Sequence, residues 1–241
     1  PSYPPSHEGE LESNQVRERL GNLEPKGQRT YTPSLAVLAR SAGAYHWTPE
    51  GRRLADFTSG VLVANLGHNP VRWWRRVLDY LRLDALEHAG ASDLYAEALP
   101  LTAYNAVTDL EVSCCERLVA NMRAQPGGAR MEQVLWAASG SEAIQKSLWA
   151  SMRRQEGRDM ILATRRGFHG KKGLANAVTG SETDPERDSR VRFVSFPIDE
   201  CCDVHARREP LDLKRFDDEL NQAADELGDR PCALVTEPYL G

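Results

Sequence analysis

Ser139-Gly140-Ser141 lies between an apolar run, Val134-Leu135-Trp136-Ala137, and a helical pattern that begins at Glu142. A strand that runs through a small-residue turn into a helix presents the free N–H groups of the helix start, which carry partial positive charge and suit an anion such as a phosphate. Gly140 allows close backbone approach, and the Ser139 and Ser141 hydroxyls can add hydrogen bonds. The same residues serve equally for ordinary capping, with a serine as N-cap and Glu142 in the first turn. Neither Gly-x-x-x-x-Gly-Lys-Ser/Thr nor Gly-x-Gly-x-x-Gly occurs, so a nucleotide-binding P-loop does not fit.

A second segment, Gly167-Phe168-His169-Gly170-Lys171-Lys172-Gly173, follows the apolar run Met160–Ala163. In a parallel sheet such a loop falls at the carboxyl edge, where open α/β folds bind ligands. Phe168 there can stack on a planar ring, although a core aromatic and a solvated lysine pair are the plainer alternatives. Cys201, Cys202, Asp203 and His205 form a compact group of potential metal ligands. Zinc sites usually draw on two such pairs, and no matching pair stands elsewhere, so the group reads as a solvated loop and no metal site is expected.

The elements that must position these residues follow from periodicity. Residues 1–30 are polar, with a weak helical pattern from Val16 to Leu23, and read as a surface arm. Gly43–Trp47, the turn Pro49-Glu50-Gly51 and Leu54–Phe57 suggest two short strands around a tight turn. Thr58–Pro70 reads as a strand end plus a structured loop. Helices are predicted over Val71–Leu83 (Trp74, Val77, Leu78 and Leu81 in phase), Asp109–Ala124, Glu142–Arg154 and Leu213–Leu227. Strands are predicted at Val134–Ala137, Met160–Ala163, Val191–Val194 and Ala233–Val235. Apolar strands alternating with amphipathic helices give an α/β fold with a mainly parallel sheet covered by helices. The expected domains are the arm over 1–30, a small-domain segment over 31–85 and the first part of a large domain over 86–241.

Composition excludes several classes. The 241 residues are 41% hydrophobic and 27% charged, as in ordinary globular proteins. A net charge of -5 gives no pull toward nucleic acid or anionic membrane, and no apolar run is long enough to span a bilayer. Five cysteines, an odd number with two adjacent pairs, point to reduced thiols and a cytoplasmic location.

The ordered set is more specific than any one motif. A Ser-Gly-Ser-Glu-Ala turn, a helix, a strand, aromatic-His-Gly and a strand ending in Glu237-Pro238 resembles the class III aminotransferases of pyridoxal-phosphate (PLP) fold type I. Gly43-Ala44-Tyr45 with Trp47, Gly51-Arg52, Asp56-Phe57, Ser59-Gly60 and Leu66-Gly67-His68-Asn69 are similar to that family's N-terminal signature, so the resemblance runs from Tyr31 to Gly241. It implies PLP as cofactor, with its phosphate on Ser139, Gly140 and Ser141. It implies Phe168 against one face of the ring, His169 and Gly170 completing the loop, and Glu237 close to cofactor and substrate. Lys171 falls where several members carry an arginine that grips a substrate carboxylate; lysine keeps the charge but loses the two-pronged geometry.

The resemblance also implies transamination between an amino donor and a 2-oxo acid, in a homodimer. Family members continue past the Glu-Pro strand to an aspartate that pairs with the pyridine nitrogen and a lysine that forms the Schiff base. None of Lys26, Lys146, Lys171, Lys172 and Lys214 stands at that lysine's place, so the chain is expected to be a fragment without its own catalytic residue. An aminomutase or racemase on the same fold, and a non-catalytic truncated PLP-binding or interaction protein, are the alternatives.

Overall fold

The computed structural model describes residues 4–24, 32–83, 100, 106–154, 156–184, 187–198, 210 and 212–238. The chain divides into two compact units, Pro1–Ala106 and Val107–Gly241.

In the first unit, helix α1 (Leu11–Leu23) precedes an antiparallel sheet of β1 (Arg40–Ala42), β2 (Tyr45–Trp47) and β3 (Arg53–Ala55), in that order. The register sets Ser41 opposite His46 and His46 opposite Leu54. The predicted turn at Pro49–Gly51 closes the β2–β3 hairpin, with Gly51 at φ 81°, a conformation glycine takes without cost. The arm is more than a polar tail. Glu50 in the hairpin turn accepts hydrogen bonds from the Ser13 amide and hydroxyl, both at 2.7 Å, and Arg17 of α1 donates to the Leu35 carbonyl at 2.9 Å. These bonds explain why Ser13 and Arg17, both polar, are the residues that α1 buries.

Thr58–Pro70 contains no strand. Its first part, α2 (Ser59–Leu62), is a left-handed turn with φ of 50°, 59°, 62° and 63° at Ser59, Gly60, Val61 and Leu62. Helix α3 (Val71–Leu81) follows and ends where Arg82 takes a left-handed conformation, short of the predicted Leu83.

The second unit opens with α4 (Asp109–Arg123), capped by Thr108, which accepts from the Glu111 amide at 3.3 Å. Then come α5 (Gly140–Arg154), β4 (Met160–Thr164), α6 (Gly173–Ala177), β5 (Val191–Val194), α7 (Lys214–Leu227) and β6 (Pro231–Val235). The sheet is parallel with order β5-β4-β6. Its central strand β4 is apolar up to its last residue, Thr164, and almost wholly buried, as a strand covered on both faces must be. Pro231 stands at the first position of β6, where its missing N–H costs least. The core joins Leu148 of α5, Ile161 and Ala163 of β4, Leu174 and Val178 around α6, and Phe193 of β5. Helix α7 adds Phe216 and Ala223 as its buried residues.

One predicted strand is not formed. Val134–Ala137 pairs with no strand among the described residues, and Leu135 and Trp136 are exposed. An apolar run becomes a strand only when a neighbour supplies the ladder of hydrogen bonds, which the run cannot specify by itself. No helix among the described residues is long and apolar enough to cross a membrane.

Candidate active site

Helix α5 starts on the predicted turn. Ser139 is its N-cap: the hydroxyl accepts from the Glu142 amide at 3.2 Å, and Glu142 reaches back to the Ala138 amide at 2.8 Å. Lys146 one turn on pairs with Glu142 at 2.6 Å. The Lys146 ammonium, followed by the Ala138 amide, holds the Glu142 carboxyl below its ordinary range. Capping therefore occupies Ser139 and Glu142 but not the rest of the turn. The amides of Gly140 and Ser141 belong to the first turn, where an α-helix provides no carbonyl partner. Nothing lies within 4 Å of the side-chain position at Gly140, so this face is open.

The Ser141 hydroxyl points to the second segment and accepts from the Lys171 amide at 3.4 Å. Gly170 makes that approach possible. Its φ is 141°, and a Cβ there would collide with the Ser141 hydroxyl and sit 2.8 Å from Ser141 Cβ and 2.9 Å from Ala175 Cβ. The loop is braced from behind by Thr179, which accepts from the His169 amide at 2.8 Å and donates to the Ala175 carbonyl at 2.8 Å. Gln145 of α5 accepts from the Leu174 amide at 2.7 Å and fixes the start of α6.

Strand order brings in the third segment. Because β6 lies parallel beside β4, the residues that follow both strands emerge at the same carboxyl edge. Glu237 there accepts from the Phe168 amide at 2.5 Å across 69 positions of sequence. His169 is 8% exposed and its Nε2 has no hydrogen-bond partner among the described residues. Burial pushes its pKa down, with the Glu237 carboxylate opposing, so the ring is neutral near pH 7. Phe168 presents 63% of its surface to solvent, so its ring is available for stacking. Lys171 is also exposed.

Hydrogen bonds thus join the α5 start, the 167–171 loop and Glu237, the segments that hold the residues anticipated from sequence. Thr179 and Gln145 were not anticipated, because each gains its role only from backbone groups that the folded loop and α6 bring to it. Cys201, Cys202, Asp203 and His205 lie outside the described residues.

A capped helix start with an open face, an exposed aromatic and an acidic residue thus stand at the carboxyl edge of a parallel sheet, the place where open α/β folds bind ligands. The Aminotransferase class-III family matches residues 27–241, and the chain belongs to that family. It is 24% identical over 216 residues to a diaminobutyrate–2-oxoglutarate transaminase of Vibrio parahaemolyticus, covering 88% of this chain and 46% of that protein. It is 31% identical over 150 residues to an acetylornithine aminotransferase of Streptomyces coelicolor, covering 62% of this chain and 31% of that one. Its fold is similar to an omega-aminotransferase from Paracoccus denitrificans (TM-score 0.67, 20% identity, 93% of this chain and 49% of that one). A PLP-bound aminotransferase mutant from Vibrio fluvialis matches with TM-score 0.67 and 21% identity over 92% of this chain and 48% of that one. The fold is PLP fold type I, and the chain spans less than half the length of the curated relatives it matches.

Membership of this family implies pyridoxal 5′-phosphate as cofactor. The residues present fit that group: first-turn amides on an open face, a glycine that admits no side chain beside Ser141, and a buried imidazole nitrogen with no partner among the described residues.

Proposed function

We propose that the whole protein transfers an amino group between an amino donor and a 2-oxo acid, and that this chain contributes the cofactor cradle. The observation that carries the reading is the joining of three distant segments by the Ser141–Lys171 and Phe168–Glu237 hydrogen bonds at one sheet edge. The Gly140 and Ser141 amides and the Ser141 hydroxyl bind the phosphate, with Ser139 holding the turn in shape. Phe168 covers one face of the ring. Glu237 orients the Phe168 backbone, and the neutral His169 offers its free nitrogen to a polar group at the ring edge. Lys171 supplies positive charge toward a substrate carboxylate. When bound, pyridoxal phosphate supplies the electron-accepting ring and the carbonyl carbon that carries the amino group.

The covalent anchor is not among this chain's lysines. Lys146 is held by Glu142 and by the Trp136 carbonyl, and Lys214 by Asp218. Lys171 and Lys172 belong to the same loop as Phe168, and Lys26 lies outside the described residues. Transamination then requires a lysine contributed from elsewhere in the protein, and the protein works as a homodimer. The exposed Trp73 and Trp74, adjacent on α3, support a partner surface on the first unit.

The test is borohydride reduction of the chain after loading with PLP, followed by peptide mapping. The expected result is reversible cofactor binding with no single lysine labelled in stoichiometric yield. Stoichiometric labelling of one lysine of this chain, with conversion of the cofactor to its amine form by an amino donor, overturns the division of labour proposed here.

A further inference from the structure

The first unit contains a group of chemistry-bearing side chains that the cofactor cradle does not use. His46 lies on β2, Asp56 directly follows β3, and His68 lies in the segment before α3. The backbone fixes all three. The His46 position is set by pairing with Ser41 and Leu54 in the sheet register. The Asp56 amide donates to the Ala44 carbonyl at 2.9 Å. His68 is pinned by two reciprocal backbone bonds to Gly43, at 2.8 and 2.9 Å. Gly67 beside it packs so closely on Gly43 that an added Cβ would lie 3.2 Å from the Gly43 Cα.

The donor atoms converge. One ligand atom from each of His46, Asp56 and His68 lies within 4.8 Å of the others. Asp56 Oδ2 is 2.6 Å from His68 Nε2 and 3.4 Å from His46 Nε2, and the two rings are 4.3 Å apart at their centroids. Two donors on one tetrahedral metal ion sit about 3.3 Å apart, given metal–donor bonds of about 2.0–2.1 Å. The His46–Asp56 separation already matches. The His68–Asp56 separation is a hydrogen bond, and it must open by about 0.7 Å when an ion replaces the shared proton. The outer contacts are those that ligating groups use. Ser41 Oγ lies 2.7 Å from His46 Nδ1; a hydroxyl that accepts from Nδ1–H there orients the ring with Nε2 toward Asp56, the outer contact that a ligating imidazole uses. Asp56 Oδ1 accepts from the Thr58 amide and hydroxyl, both at 2.8 Å, which fixes the carboxylate plane and leaves Oδ2 facing the rings. The side chains are 13%, 5% and 18% exposed for His46, Asp56 and His68, so the site is sheltered yet open to water for the remaining position.

We propose that His46, Asp56 and His68 form a binding site for one divalent first-row transition-metal ion of zinc type, which staples the β2–β3 hairpin to the segment entering α3. Two imidazoles and one carboxylate form a donor set for zinc, cobalt, nickel or copper rather than for magnesium or calcium. The spacing hides it: the three residues are 10 and 12 positions apart and match no short ligand motif.

The test is a Co2+ titration of the full chain followed by optical absorption, with Zn2+ displacement. The expected result is one saturable equivalent whose visible d–d bands carry no thiolate charge-transfer absorption, which separates this site from the five cysteines. Bound Zn2+ raises the thermal unfolding midpoint. His46→Gln weakens binding by more than tenfold and Ser41→Ala, which touches only the outer shell, by about tenfold. Both variants leave the metal-free melting transition near the wild-type value. Absence of saturable binding, a thiolate band, or an affinity unchanged in His46→Gln overturns the proposal and leaves the group a hydrogen-bonded tie. If His46→Gln does not fold, an unchanged affinity in Ser41→Ala decides against it.

Discussion

A methyl group added at Gly170 meets the Ser141 hydroxyl and lies 2.8 Å from Ser141 Cβ, at a φ of 141° that side chains rarely adopt. Gly170→Ala must therefore push the 168–171 loop off the start of α5. The expected cost is about 1–3 kcal/mol by denaturant unfolding, together with loss of PLP affinity. An unchanged midpoint and affinity would show that the two segments do not need to touch. Thr179→Val removes the acceptor of the His169 amide and is expected to cost about 1–3 kcal/mol without altering the α5 start. His169 adds a pH signature. Its folded pKa is lowered by burial, so the unfolded chain takes up the proton first as pH falls below the ordinary value of about 6.5. Stability is full above that pH and declines below it. Unfolding at pH 7.5 and 5.5 should reveal a larger loss for wild type than for His169→Gln; parallel losses would contradict it. Ser139, Gly140, Ser141, Phe168 and His169 could be singled out as candidates because the segments that hold them follow one another in a recognisable order, not because any one motif is decisive. Thr179 and Gln145 could not be, because a threonine or glutamine gains its role only from the backbone amide that packing delivers to it.

At the level of elements, hydrogen bonds between them replace propensity as the deciding term. Helix α1 carries only a weak sequence signal, yet Ser13 and Glu50 anchor it to the hairpin turn. The Ser13 amide, opposed by partial burial and aided by the Ser13 hydroxyl, lowers the Glu50 pKa from 4.5 to about 2. A lowered carboxylate contributes stability above its unfolded value, and loses it as pH falls from near 4.5 through about 2. Hydrogen exchange at the Ser13 amide should lose protection over that window in wild type, and lack it at every pH in Glu50→Leu. Arg165, at the end of β4, bonds Glu182, Ser195 and Glu219, and so ties the central strand to β5 and α7. Arg165→Met is expected to cost about 1–3 kcal/mol, because it strands partly buried acceptors. Glu182→Gln, half exposed, should stay within about 1 kcal/mol, and a reversed order would contradict this assignment. Helices α3, α4, α5 and α7 and the β4, β5 and β6 strands were legible from apolar periodicity; α6 was not, because five residues are too few to show a helical period. Val134–Ala137 was misread because an apolar run fixes what wants burial, not which strand lies beside it.

For the whole molecule, the class-III family and fold type I account for the order of the segments, while the chain spans less than half of the curated relatives it matches. In the proposed function the α5 start binds the phosphate of the cofactor with no help from a covalent bond, and the 167–171 loop covers the ring. The direct measurement is calorimetric titration of the chain with pyridoxal 5′-phosphate and, separately, with pyridoxal. Charge-assisted hydrogen bonds to first-turn amides are worth about 1.5–3 kcal/mol, and about 1.4 kcal/mol is a factor of ten. The phosphate form should therefore bind at least about tenfold more tightly than pyridoxal, and Ser141→Ala should narrow the gap. Equal affinity for the two ligands, or a gap untouched by Ser141→Ala, would contradict a phosphate cradle at this helix start.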